Sequence, residues 1–250
     1  MIRILAAIAA LSFLGACASP HVPHSKPRPA YSKPKVTYSK PKVSKPKVSK
    51  PRSYKLKMYS GSSWSFTIKN HRVVRYNGGK LTIFTNTRGN QSIVVDGSVT
   101  EDLYNKLKTQ VSYVKRVNAK NGIVPVVYLH SGGGNAYYGM VIGRMMRANR
   151  VSTRVEGDMV CASACANIFI GGTYRNIENS GRIIVHAPYN KDTKRCVSRY
   201  SEIGAVFSNY AKTMLSATAA RFYNNQTWYC NINGGNTITD RSGNLIETGS

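Results

Sequence analysis

The sequence predicts an α/β domain with a largely parallel sheet and helices, preceded by a disordered Pro/Lys-rich linker. Three observations predict it. Strand-like and helix-like patterns alternate from residue 92 onward, glycines stand at the strand ends, and residues 123–129 form a near-continuous apolar run. Such a run is expected of a parallel strand covered on both faces. A hydrophobic fraction of 42% excludes a wholly disordered chain. No apolar run approaches the length of a bilayer-spanning helix, which excludes a polytopic membrane protein.

Taken in order, alternating side chains at residues 64–68 and 80–84 read as strands, separated by Asn77-Gly78-Gly79 and Arg88-Gly89-Asn90 turns. Residues 92–95 read as a further strand that ends at Asp96-Gly97. Thr100 followed by Glu101 and Asp102 supplies an N-cap with acids in the first turn. A helix to about Asn118 follows, with Leu103, Leu107, Val111 and Val114 on one face. The apolar run feeds Ser131-Gly132-Gly133-Gly134-Asn135, after which residues 137–149 read as a helix with Met140, Val141, Met145 and Ala148 facing inward. Met140, Met145 and Met146 serve core packing. Residues 152–155 read as a strand, 163–170 as a short helix, and 182–185 as a strand ending at His186.

Charge divides the chain. It carries 36 Lys+Arg against 10 Asp+Glu, a net charge of +26. Residues 1–57 hold 13 of the basic residues, none of the acidic ones and 8 of the 10 prolines. They have too few large apolar side chains to offset the entropy of ordering. Residues 1–16 read as a leader, with Arg3 before an apolar stretch too short to span a bilayer. Leu14-Gly15-Ala16-Cys17 resembles a bacterial lipobox, which implies acylation of Cys17; an ordinary secretory peptide cut near Ala18-Ser19 is the alternative. Either sends the chain out of the cytoplasm. Ala18 after the cysteine is similar to the pattern of outer-membrane lipoproteins, so the expected location is the envelope, facing the periplasm.

Residues 17–57 then form a tether, with a degenerate Ser-Lys-Pro-Lys/Arg repeat that favours extended, self-repelling chain. At about 3.1 Å per residue it reaches on the order of 120 Å. It suits anionic envelope polymers through charge. Only Tyr31, Tyr38 and Tyr54 accompany its lysines, so no stacking pattern marks a specific nucleic-acid reader. Residues 58–91 form an N-terminal β segment and 92–250 the α/β domain.

In such domains chemistry gathers where strand ends meet helix starts. The triple glycine lacks a phosphate loop's Lys-Ser/Thr and a dinucleotide fingerprint's spacing, and instead lets a bare N–H approach a substrate carbonyl. Met159-Val160-Cys161-Ala162-Ser163-Ala164-Cys165-Ala166 sets a serine among small residues at a helix start. Ile183-Ile184-Val185-His186 sets a histidine at a strand exit. Each alone is also an ordinary turn, N-cap or structural histidine; their order joins them.

Leu129-His130-Ser131-Gly132-Gly133-Gly134, Gly139, Cys161-Ala162-Ser163-Ala164-Cys165, Arg175 and Val185-His186-Ala187-Pro188 together resemble the core of the Clp protease proteolytic subunit. They resemble still more closely the secreted Clp-protease-like proteins of bacteria, within the crotonase-like superfamily. The resemblance spans roughly residues 92–225. It implies a serine hydrolase with Ser163 as nucleophile, His186 as general base, and the Gly134 and Ala164 N–H groups as oxyanion hole. Two such donors contribute about 3–4 kcal/mol each to a developing oxyanion. The family's Pro, Asn and Gly are replaced by Gly132, His130 and Cys165, and the sequence assigns His130 no role. For the third triad member, the segment around Asp240 resembles the family's; Asp192, Glu202 and a Ser/His dyad are alternatives.

Cys161, Cys165, Cys196 and Cys230 are an even set for an oxidising compartment, with 161–165 and 196–230 as one pairing and the connectivity open. No histidine sits at ligand spacing from them, so no metal or other cofactor is expected. The leading expectation is an envelope-anchored, ATP-independent serine protease acting on proteins or peptides, with homo-oligomers implied by the resemblance. The rival from another class is a catalytically silent Clp-like interaction module on a basic tether. Acyl-thioester chemistry, as in crotonase relatives, is disfavoured outside the cytoplasm.

Overall fold

The computed structural model describes residues 53–57, 65–178, 180–190, 192–231 and 234–239. The leader, Cys17 and most of the tether lie outside them.

A seven-stranded sheet runs through the domain in the order β1 (Tyr54–Lys57), β2 (Ser65–Tyr76), β3 (Gly79–Asn86), β4 (Gln91–Gly97), β5 (Val126–His130), β6 (Ser152–Glu156), β8 (Tyr174–Glu178). The first four pair antiparallel, and from β4 onward every pairing is parallel. A second, three-stranded sheet has the order β10 (Asn236–Ile238), β9 (Arg182–Val185), β7 (Val160–Ala162), with β7 and β9 parallel. The helices are α1 (Glu101–Ala119), α2 (Ala136–Ala148), α3 (Ala164–Gly171), α4 (Glu202–Met214) and α5 (Ala217–Thr227). Among the described residues, no helix is long and apolar enough to cross a membrane.

Burial follows from pattern. Ser92, Ile93, Val94 and Val95 are buried in succession on β4, as are Val127, Tyr128 and Leu129 on β5, because both sheet faces are covered there. Thr100 Oγ1 accepts the Leu103 N–H at 3.1 Å, and α1 buries Leu103, Leu107, Val111 and Val114 as its periodicity predicts. The same stripe ends in Asn118, whose amide accepts from and donates to the Gln91 backbone at 2.8 Å each way.

Three features depart from the sequence reading. Tyr54–Lys57, placed in the tether, form β1: Leu56 packs toward the core opposite Phe66 while Lys55 and Lys57 point outward, so the lysines mask an alternating strand. The segment ending at His186 belongs to the small sheet and not the large one. On α2 the inward face is Gly139, Met140, Ile142, Gly143 and Met146; of the expected Met140, Val141, Met145 and Ala148, Met140 is buried and Met145 packs against the core, while Ala148 is exposed and Val141 is not among the buried residues. Two glycines replace apolar side chains because α2 meets α3 backbone to backbone. A methyl on Gly139 would fall on the Ala164 carbonyl, and one on Gly143 on the Asn167 carbonyl and the Tyr210 hydroxyl.

Helix α3 is buried on every side, as expected of a helix with no polar face. Its polar ends are nevertheless met. Thr153 Oγ1 donates to the Phe169 carbonyl at 2.8 Å, and Arg147 Nη2 donates to that of Ile170 at 3.3 Å. Tyr210 donates to the Asn167 carbonyl at 2.6 Å, and Tyr223 to the Asn167 side chain at 3.0 Å.

Candidate active site

β7 and β9 are adjacent parallel strands, with Ala162 opposite Ile184. Ser163 therefore leaves one strand beside the point where His186 leaves the next, across a spacing of about 4.8 Å. The Ser163 N–H donates to the Ile184 carbonyl at 2.8 Å, which locks the two exits together.

Ser163 has φ 54° and ψ −119° and stands at the N-terminus of α3, yet its hydroxyl caps no helix N–H. A left-handed φ costs a non-glycine residue of order 1–3 kcal/mol and is held only where surroundings enforce it. The enforcing groups are the Ile184 bond behind and the Cys161–Cys165 disulfide, whose Cα atoms lie 5.2 Å apart on either side of the turn. The strained turn lifts the hydroxyl away from the helix, and the Ala164 N–H, first in α3, has no intrahelical partner.

The glycine loop is fixed by main-chain bonds. The Ser131 N–H donates to Val160 O at 2.7 Å, the Ala162 N–H to Ser131 O at 2.8 Å, and the Gly133 N–H to Ser131 Oγ at 3.0 Å. The Val99 bridge uses the Val99 and Asn135 N–H groups and the Gly133 and Val99 carbonyls, which leaves the Gly134 N–H uncommitted. Gly133 has φ +101°, and a Cβ there would stand 2.7 Å from that of Ser163; this position admits glycine alone.

Gly133, Gly134, Asn135, Ser163, His186 and Tyr189 line one cleft of about 710 Å³. His186 Nδ1 lies 2.9 Å from the Ala187 carbonyl. A carbonyl only accepts, so Nδ1 donates, and in the neutral ring the lone pair is then on Nε2. Sequence reasoning missed this partner, because main-chain acceptors leave no motif.

Of the acids weighed, Asp240 lies outside the described residues. Asp192 is exposed in a turn, where its N–H donates to Asn190 Oδ1 at 2.8 Å, and Glu202 is exposed in the first turn of α4. The structure brings neither to His186. Cys196 is bonded to Cys230, with Cα atoms 5.9 Å apart. Among the described residues, no three His, Cys, Asp or Glu side chains converge as metal ligands.

His130 finds its role in the fold. Its Nδ1 accepts the Val160 N–H at 3.2 Å, tying β5 to β7, and burial lowers its pKa against the opposing pull of Asp96 and Asp158. Arg175 is also structural: buried, it donates to the Gly172 carbonyl at 2.9 Å.

The Clp protease family model matches residues 78–220, more than half of the sequence, and the chain belongs to the Clp protease family. A search among curated proteins finds no match. Among solved structures, a mutant of the 1510-N membrane-bound stomatin-specific protease is similar at 14% identity and a TM-score of 0.47, covering 63% of this chain and 75% of that one. ClpP1 from Listeria monocytogenes is similar at 15% identity and a TM-score of 0.47, covering 62% of this chain and 88% of that one.

Proposed function

We propose that the chain is an ATP-independent serine peptidase of the bacterial envelope, anchored through an acylated Cys17. Ser163 is its nucleophile, His186 its general base, and the Gly134 and Ala164 N–H groups its oxyanion hole. The observation that carries this reading is the meeting of Ser163, His186 and Gly134 on one cleft in a chain of the Clp protease family.

The chemistry follows from the groups. His186 Nε2 takes the Ser163 proton as Oγ attacks the peptide carbonyl carbon. The carbonyl oxygen gains charge and is met by the two free N–H groups. The imidazolium then gives its proton to the leaving amine, and water, activated by the same imidazole, hydrolyses the acyl-enzyme. Ala187 O accepts from Nδ1 throughout, the task that a carboxylate performs in a full triad. On this reading the enzyme is a Ser-His dyad with a main-chain orienting group, and Asp240 has no required part.

A fluorophosphonate probe tests it. Wild type is labelled at Ser163, Ser163→Ala is not labelled, and His186→Ala is labelled roughly 10²–10⁴-fold more slowly. Asp240→Asn keeps the wild-type rate within a few-fold. Labelling that persists in Ser163→Ala overturns the assignment and leaves the silent interaction module as the better reading.

A further inference from the structure

The two disulfides divide the site between them. Cys161–Cys165 brackets Ser163, and both its cysteines are fully buried. Cys196–Cys230 lies on the other side, around the segment that carries His186, where Cys196 is half-buried and Cys230 exposed.

Past the end of β9, residues 186–190 belong to neither sheet and are held by neighbours on two sides. On one side the Val197 N–H donates to Pro188 O at 2.7 Å, the Asn190 N–H donates to Arg195 O at 2.9 Å, and Tyr189 bridges Cys196. On the other the Ala187 N–H donates to Tyr229 O at 3.0 Å. These flanks come from distant stretches of chain, before α4 and after α5. The bond between Cys196 and Cys230, 34 residues apart, is the covalent link that joins them around the histidine segment. The peptide unit it encloses includes Ala187, whose carbonyl fixes the His186 tautomer.

Resting on the serine-peptidase reading, we infer that Cys196–Cys230 is the positioning device for His186, so the proton-accepting half of the site is complete only while this bond is closed. Opening it needs a thiol reductant. A dithiol supplies two electrons and two protons, the S–S bond becomes two thiols, and the dithiol leaves as its own disulfide. The exposed 196–230 bond opens before the buried 161–165 bond, so mild reductant silences His186 while the Ser163 turn stays locked.

The full-length protein is treated with graded dithiothreitol, and free thiols are alkylated and mapped by mass spectrometry. At each step the fluorophosphonate labelling rate is followed from pH 5 to 9. Cys196 and Cys230 are expected to be alkylated first. In step with them the rate at neutral pH falls on the order of 100-fold and the pH profile flattens to that of His186→Ala; re-oxidation restores both. Cys196→Ala/Cys230→Ala is expected to behave like the reduced protein with an unchanged far-UV signal. An unchanged rate and pH profile in the opened protein overturns the inference. So does a loss of labelling that merely tracks loss of the far-UV signal, since the bond then holds the fold and not the imidazole. If the oxidised wild type is not labelled at all, the peptidase reading has failed first, and the two failures are separable.

Discussion

Ser163 stood out in the sequence as a serine with four small neighbours at a helix start, and the structure places it at the N-terminus of α3. The 161–165 bridge that brackets it was one of the pairings the sequence offered; what the sequence did not reveal was the positive φ and the bond from the next strand. His186 was legible as a strand exit, and its acceptor was not, because a carbonyl belongs to every residue. His130 shows the reverse, a chemically suggestive side chain occupied by an ordinary task. Its neutral form accepts the Val160 N–H, and its folded pKa lies below the usual 6.5. Well above pH 6.5 this group leaves stability unchanged. Below 6.5 the unfolded chain takes up a proton that the folded one resists, so stability falls with falling pH. Urea unfolding at pH 7.5 and 5.5 measures this loss, and His130→Gln, which keeps an acceptor without an imidazole, is expected to remove its share.

At the scale of elements, long patterned segments were readable: α1 from its cap and stripe, β4 and β5 from continuous apolar runs. Three of the short ones were not. β7 and β10 have three residues each, too few for a period, and form only because neighbours supply the other half of each ladder. β1 was hidden by its lysines. The α2 face was misjudged because glycine carries no apolar signal, although glycine is what the α2–α3 contact requires. Gly143→Ala is accordingly expected to cost about 1–3 kcal/mol by overpacking, despite the better helix propensity of alanine. Thermal melting compared with Gly132→Ala, an exposed glycine without a positive φ whose added methyl meets nothing within 4 Å, tests whether the loss belongs to that interface.

For the whole molecule, the net charge of +26 sits on two parts with different consequences. If residues 1–16 are removed and Cys17 is acylated, Cys17→Ser moves the protein from the membrane to the soluble periplasmic fraction. What binding remains, through the basic tether, is expected to weaken as salt rises from 50 to 500 mM, measured on anionic vesicles. The family match begins at residue 78, after this region, so membership in the Clp protease family speaks for the domain alone. The domain itself has unequal walls around its cleft. The serine side and the glycine loop are joined through α2 and α3, which touch without intervening side chains and leave nothing to compress. The histidine side is a short unsheeted segment gripped at its margins. On the proposed reading, a peptide bound in the cleft lies between a wall made of two directly packed helices and a wall whose segment belongs to neither sheet and takes its place from the chain on either side of it.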